Sequence, residues 1–142
     1  MSRAGYDAVI LHGKGPNPVF LEITDKSVTF HDATTLWGKG TYETEDAVLE
    51  AVGVKGAKAL LIGPAGENLV RFALIENDYW RSAGRTGVGA VMGSKKVKAT
   101  VFHGEARREV ADENRLEDFR KKPSPSPKTI LVLRHTRTWE LP

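Results

Sequence analysis

Residues 79–98 read YWRSAGRTGVGAVMGSKKVK, and they are the part of this chain best supplied with chemistry. Arg81 and Arg85 stand in and just before a G-x-x-G-x-G spacing at Gly84, Gly87 and Gly89, with Gly93 beyond. Glycines let successive N–H groups turn inward into an anion-binding nest, and a following helix start adds positive dipole. Arginine supplies bidentate, permanently charged contacts to phosphate. GVGAVMG also reads as a small-residue helix able to pack closely on a sheet. Spacing alone leaves two readings open, a set of tight turns on a basic surface and a cradle for an anion.

Other candidate chemistries are thinner. His12, His31, His103 and His135 are scattered, with no pair at metal-ligand spacing, so they read as strand or loop histidines with satisfied hydrogen bonds. Ser94 sits in MGSKK without a G-x-S-x-G elbow, which argues against a serine hydrolase. GKGP and GKGT contain Gly-Lys but lack the upstream glycine of a phosphate loop. Glu67-Asn68 and Asn77-Asp78 read as turn and cap residues around an intervening strand. With no cysteine, the chain offers no disulfide, no thiolate nucleophile and no cysteine-held zinc or iron–sulfur cluster.

The elements that must position these residues follow from pattern. DAVILHG (7–13), PVFLEIT (18–24) and SVTFHD (27–32) predict a meander of three antiparallel strands. Thr44 is the expected N-cap of a helix with Glu45 and Asp46 in its first turn and Gly53 as its stop. KALLIG (58–63), the most buried-looking strand, ends at a GPAG turn. ENLVRFALIEN (67–77) and KVKATVFHG (96–104) read as further strands. Asp112 caps a charged helix, DENRLEDFRKK, anchored by Leu116 and Phe119. PSPSP (123–127) is a linker-like break, and TILVL beyond it is strand-sized. The class is α+β, a strand-dominated twisted β-sheet domain with a few helices.

The bulk numbers fit that class. The chain has 142 residues, 40% hydrophobic and 27% charged, enough for one domain with a core. Its net charge of +3, with both signs mixed, permits an anionic ligand but falls short of a nucleic-acid-binding stripe. No apolar run approaches a membrane span, and the N-terminus lacks a secretory h-region, so a cytoplasmic protein with no membrane and no nucleic-acid partner is expected.

One longer stretch carries a resemblance. GPAGENLVRFALIENDYWRSAGRTGVGAVMGSKKVKA (63–99) resembles the N-terminal domain of the aldehyde ferredoxin oxidoreductases, the tungstopterin enzymes. AGYDAVILHGKGPNPVFLEI and ATTLWGKGTYETE are similar to the segments that precede that motif, and the likeness runs from about Ala4 to about Phe119. The resemblance implies a partial tungstopterin-binding domain over 1–122, followed by an unplaced tail over 123–142. It implies a tungsten or molybdenum bis-pterin as cofactor, with Arg81, Ser82, Gly84 and Arg85 as its contacts. No residue of this chain is expected to ligate the metal or act as a catalytic group. It also implies aldehyde oxidation to a carboxylic acid, with electrons leaving through an iron–sulfur cluster to ferredoxin. This chain lacks the cysteines for that cluster, so the remaining domains are expected on another chain, or the chain self-associates. The alternative is a non-catalytic remnant or interaction module that keeps the scaffold and binds no cofactor. Thr86 stands where the family has a glycine in a Gly-Arg-Gly-Gly run, and a β-branched residue there would resist positive φ.

Overall fold

The computed structural model describes residues 1–106 and 110–122. These fall in two compact units, Met1–Arg108 and Glu109–Pro142. The linker PSPSP and the TILVL segment lie outside the described residues.

The first unit is built on a six-stranded sheet in the order β2-β1-β6-β3-β4-β5. The strands are β1 (Val19–Ile23), β2 (Val28–Asp32), β3 (Lys58–Leu61), β4 (Ile75–Asn77), β5 (Arg81–Ala83) and β6 (Val97–Phe102). β1 and β6 run parallel, and the other pairs are antiparallel. Every residue of β6 is buried, which is why VKATVF lacks a polar-out alternation. It is β6, and not the KALLIG strand, that forms the most enclosed element: β3 leaves Lys58 exposed.

Helix α1 (Thr41–Val52) covers one face, packing Val48 against Phe20, Leu36, Ala59, Leu61, Ala99 and Val101. Helices α2 (Pro64–Glu67) and α3 (Val88–Ser94) pack together. On the opposite face, Met92 of α3 joins Leu21, Ile23, Ile62, Val97 and Phe102. A bulge reconciles the two clusters. Val19 pairs with Val97 but Phe20 pairs with Ala99, so Lys98 is an extra residue in β6. Such an insertion moves Val97 to the side of Phe102 instead of that of Ala99.

Several expectations are corrected. Residues 7–13 form no strand, so the meander has two strands and not three. Among the described residues that segment pairs in no ladder; Leu11 packs on the second cluster, while Lys95 Nζ donates to the Gly13 carbonyl at 3.1 Å. The span 67–77 is strand only at 75–77. Leu69 adopts φ 57°, and Val70 N–H donates to Ala65 O at 2.9 Å, so the chain turns as α2 ends. GPAG itself opens α2, with Pro64 at the first helical position, where its missing N–H costs nothing. Helix α1 starts earlier than expected, with Gly40 as N-cap. Thr44 is therefore internal and buried, its hydroxyl donating to Gly40 O at 2.7 Å, and Glu45 and Asp46 lie beyond the first turn. Gly53 stops the helix at φ 66°, as its position predicts.

The second unit contains α4 (Glu113–Lys121), and Asp112 caps it by accepting from the Arg115 N–H at 2.9 Å. Leu116 is half-buried and Phe119 is exposed, so only one of the two expected anchors is even partly covered.

Candidate functional site

Arg81 and Ser82 lie on β5, the edge strand of the sheet, and Gly84 and Arg85 follow in the turn that leaves it. All four are exposed. The register pairs Asn77 with Arg81, Glu76 with Ser82 and Ile75 with Ala83. Cross-strand partners share a face, so Arg81 lies on the side of Ile75, which belongs to the second apolar cluster, and Ser82 on the opposite side. Among the described residues neither the Arg81 nor the Arg85 side chain makes a hydrogen bond or an ion pair; the Arg81 charge adds, after Lys58, to the lowering of the Asp78 carboxyl pKa. An edge strand and its following turn that together carry two unengaged guanidiniums, a hydroxyl and a glycine backbone are chemically suited to a phosphate-bearing anion.

The turn that delivers Arg81 is unusual. Asp78 and Tyr79 both adopt left-handed backbone, φ 47° and 61°, although neither is glycine. Each such residue costs roughly 1–2 kcal/mol. The turn is held from three directions. Both oxygens of Glu45, a residue 2% exposed, accept backbone N–H groups, Oε1 from Asp78 and Oε2 from Tyr79, each at 3.0 Å. Tyr79 Oη donates to Asp46 at 2.5 Å, and Lys58 Nζ donates to Asp78 at 2.5 Å. The Lys58 ammonium holds the Asp78 carboxyl below its ordinary range, and the bond to the Asp46 carboxylate raises the Tyr79 phenol. Tyr42, Tyr79 and Trp80 form an aromatic group around the turn, with Tyr42 5.7 Å from each of the other two ring centres.

The glycines serve a different purpose from the one their spacing suggests. A Cβ at Gly87 would lie 2.4 Å from Arg71 O, at Gly89 2.3 Å from Leu74 O, and at Gly93 2.0 Å from Gly66 O. Gly89 N–H donates to Ala73 O at 3.0 Å, so it is not turned toward a ligand. These three positions are small because the 66–74 backbone passes directly over them. Gly84 differs: a Cβ there would meet Leu74 Cβ at 3.6 Å, an ordinary contact. Thr86 is also comfortable, because the left-handed residues are Arg85 (φ 69°) and Gly87 (φ 75°) on either side of it.

Two charge clusters, one buried and one half-buried, were not legible as such. Lys98 Nζ pairs with Glu67 Oε1 and donates to Lys39 O at 2.9 Å, while Glu67 Oε2 accepts Gly38 N–H at 2.7 Å. Their side chains are 0% and 4% exposed. The pair ties β6 and α2 to the loop entering α1. Asn68, beside Glu67, does behave as a cap residue, bonding Pro64 O through its side chain at 2.9 Å. Glu22 bridges two histidines, accepting at 2.8 Å from His31 and 2.7 Å from His103, and the His103 contact leads in lowering its pKa. His31 and His103 are thus satisfied as the sequence suggests, His12 is exposed, and His135 lies outside the described residues.

Comparison with known proteins gives this geometry a setting. Residues 1–104 match the family described as aldehyde ferredoxin oxidoreductase, N-terminal domain. The chain is 52% identical to a tungsten-containing aldehyde ferredoxin oxidoreductase of Pyrococcus abyssi, over 84% of its own length and 20% of that protein's. It is 40% identical to an aliphatic sulfonate oxidoreductase, WOR-like subunit, of Pyrococcus furiosus, over 73% of this chain and 19% of that one. Among solved structures it resembles the active site complex BamBC of benzoyl coenzyme A reductase, in complex with 1,5 dienoyl-CoA. The TM-score is 0.69 at 44% identity, covering 72% of this chain and 16% of that one. The chain thus spans about a fifth of the length of such relatives. With most of its residues inside the family match and its α+β sheet superimposable on a relative's, this chain belongs to the aldehyde ferredoxin oxidoreductase N-terminal domain family.

Proposed function

We propose that this chain is a tungstopterin-binding N-terminal domain, a fragment or subunit of an aldehyde:ferredoxin oxidoreductase-type enzyme, inactive until other polypeptide completes it. The observation that carries the reading is the pair of unengaged guanidiniums, Arg81 on the exposed edge strand and Arg85 in the turn that leaves it, within the family match. They would bind the phosphates of a bis-pterin by charge-assisted hydrogen bonds, with the Ser82 hydroxyl and the Gly84 backbone alongside. Gly84 fits this role because the chain's own packing does not demand a glycine there. When bound, the tungsten or molybdenum centre supplies the oxidation of aldehyde to carboxylic acid. The residues of this chain bind and orient; the cluster, and the docking of ferredoxin, belong to the completing polypeptide in the cytoplasm.

Substrate choice is not built into this segment. Relatives named for an aldehyde, a sulfonate and a coenzyme A thioester all share it at 40–52% identity. A common cofactor platform accounts for that breadth better than a common substrate pocket. The need for completion has its own support. Ile10 is 77% exposed and Phe30 67%, and both line an apolar groove between the 6–16 segment and β1–β2. Surface of this kind is normally covered in a finished protein.

A second reading, a scaffold that binds no cofactor, is favoured by the glycines at 87, 89 and 93, whose closest approaches are to the chain's own backbone. One experiment separates the two. Arg81→Ala/Arg85→Ala protein, isolated in its native complex, is expected to lose most of its pterin while retaining its partner chain. Full pterin retention would instead support the scaffold.

A further inference from the structure

We infer that Glu45 is a positioning residue for Arg81, acting from α1 through the Asp78–Tyr79 backbone. The inference rests on the reading of Arg81 as an anion contact. Its own foundation is the geometry of one buried carboxylate. Glu45 is 2% exposed, and its two oxygens are each taken by a backbone N–H, from the two consecutive left-handed residues. A buried carboxylate without a cation is costly, and only charge-assisted hydrogen bonds of this kind offset it.

Apart from these side-chain contacts, the strand pairing that keeps the turn in register is short. β4 and β5 are three residues each, and β4 is joined to β3 through a single paired position, Leu61 with Glu76. Asp78 and Tyr79 sit between Asn77 and Trp80, and Arg81 follows as the first residue of β5. Trp80 N–H closes the turn onto Asp78 O at 2.7 Å. If residues 78 and 79 relax to right-handed or extended backbone, Arg81 moves off its pairing with Asn77 and its guanidinium leaves the edge. Lys58 and Asp46 grip the side chains of Asp78 and Tyr79, whereas Glu45 is, among the described residues, the side chain that grips the backbone N–H groups of both left-handed residues.

Glu45→Gln is the informative change. An amide keeps one acceptor but turns an NH₂ donor toward the other N–H, so one of the two bonds is replaced by repulsion. Glycine at 78 and 79 adopts the left-handed conformation without cost, so it should restore what the carboxylate supplied.

The test uses the full 142-residue chain. Inorganic pyrophosphate is titrated calorimetrically, and the amide protons of Asp78 and Tyr79 are followed by NMR. In the parent both protons lie downfield, as donors to a carboxylate, and Arg81→Ala weakens pyrophosphate binding. Glu45→Gln is expected to move both protons upfield and to weaken binding roughly tenfold, the loss of about one charge-assisted hydrogen bond. Asp78→Gly/Tyr79→Gly also loses the Lys58 and Asp46 contacts, so it is the reference for the triple variant: adding Glu45→Gln to it is expected to change affinity less than about threefold. Should Glu45→Gln fail to fold, this comparison decides, since a small change supports the inference and a further loss of about tenfold overturns it. Parent-like affinity in Glu45→Gln, with Arg81→Ala weakened, overturns the inference and leaves the Arg81 reading intact. Pyrophosphate binding that does not depend on Arg81 overturns that reading, and the inference with it.

Discussion

Removing the buried ammonium of Lys98 should be one of the most destructive single changes available in this fold. Lys98→Met keeps the length and shape of the stem but leaves the Glu67 carboxylate, 4% exposed, with Gly38 N–H as its remaining partner. Breaking a buried pair from one side costs about 3–5 kcal/mol, because the surviving charge is left uncompensated. Set against a total stability of about 5–15 kcal/mol, that is a large share. With a urea slope of about 2 kcal/mol/M for a domain of this size, the unfolding midpoint should fall by roughly 2 M. Glu67→Leu should cost a similar amount, since it strands the ammonium on Lys39 O. The double variant removes both charges and should be less damaging than the sum of the singles by at least about 2 kcal/mol. It should not reach the parent, because Gly38 N–H and Lys39 O lose their partners. Urea titrations followed by far-ultraviolet circular dichroism supply all four corners of the cycle. A cost below about 1 kcal/mol for Lys98→Met, or strict additivity in the double variant, would refute the reasoning. The consequence reaches the site, because Glu67 anchors the loop that leads into α1, and α1 carries Glu45.

Three further outcomes are expected. Gly93→Ala should lower the thermal midpoint by several degrees, since its Cβ would fall 2.0 Å from Gly66 O and overpacking costs about 1–3 kcal/mol; an unchanged melting curve would contradict the packing described. Gly84→Ala should leave the melting point of the chain within about 2 °C of the parent yet reduce pterin content in the native complex, as metal and pterin assays would reveal. Acid should weaken the fold through Glu22. Its folded pKa lies below the unfolded value, so its contribution is complete above about pH 4.3 and is lost as pH falls through the lower, folded value. Glu22→Gln should flatten that part of the stability–pH profile, and a profile identical to the parent's would contradict the role given to the two histidines.

What the sequence reveals here depends on whether the determining contact is local. Gly53 and Asp112 are read correctly because a helix stop and a helix cap are decided within four residues. The strand at 97–102 is legible from its apolar run. DAVILHG has the same kind of run but pairs with no strand among the described residues, and pattern cannot supply a partner. ENLVRFALIEN alternates like a strand, yet the left-handed Leu69 breaks it. Glu45 is the clearest limit. As a helix residue it reads as a favourable charge near the N-terminus, whereas it is spent on two amides 33 and 34 positions away. The glycine cluster shows the opposite failure. Its spacing suggests a ligand cradle, but three of its members are explained by the backbone of residues 66–74. What remains of the candidate site is carried by side-chain charge at the β5 edge.

The most direct measurement is metal and pterin analysis of the chain purified from its native host, with any co-purifying polypeptide identified. The account predicts tungsten or molybdenum together with pterin, in a complex with further polypeptide. Material that carries neither metal nor pterin, alone or in complex, would contradict it.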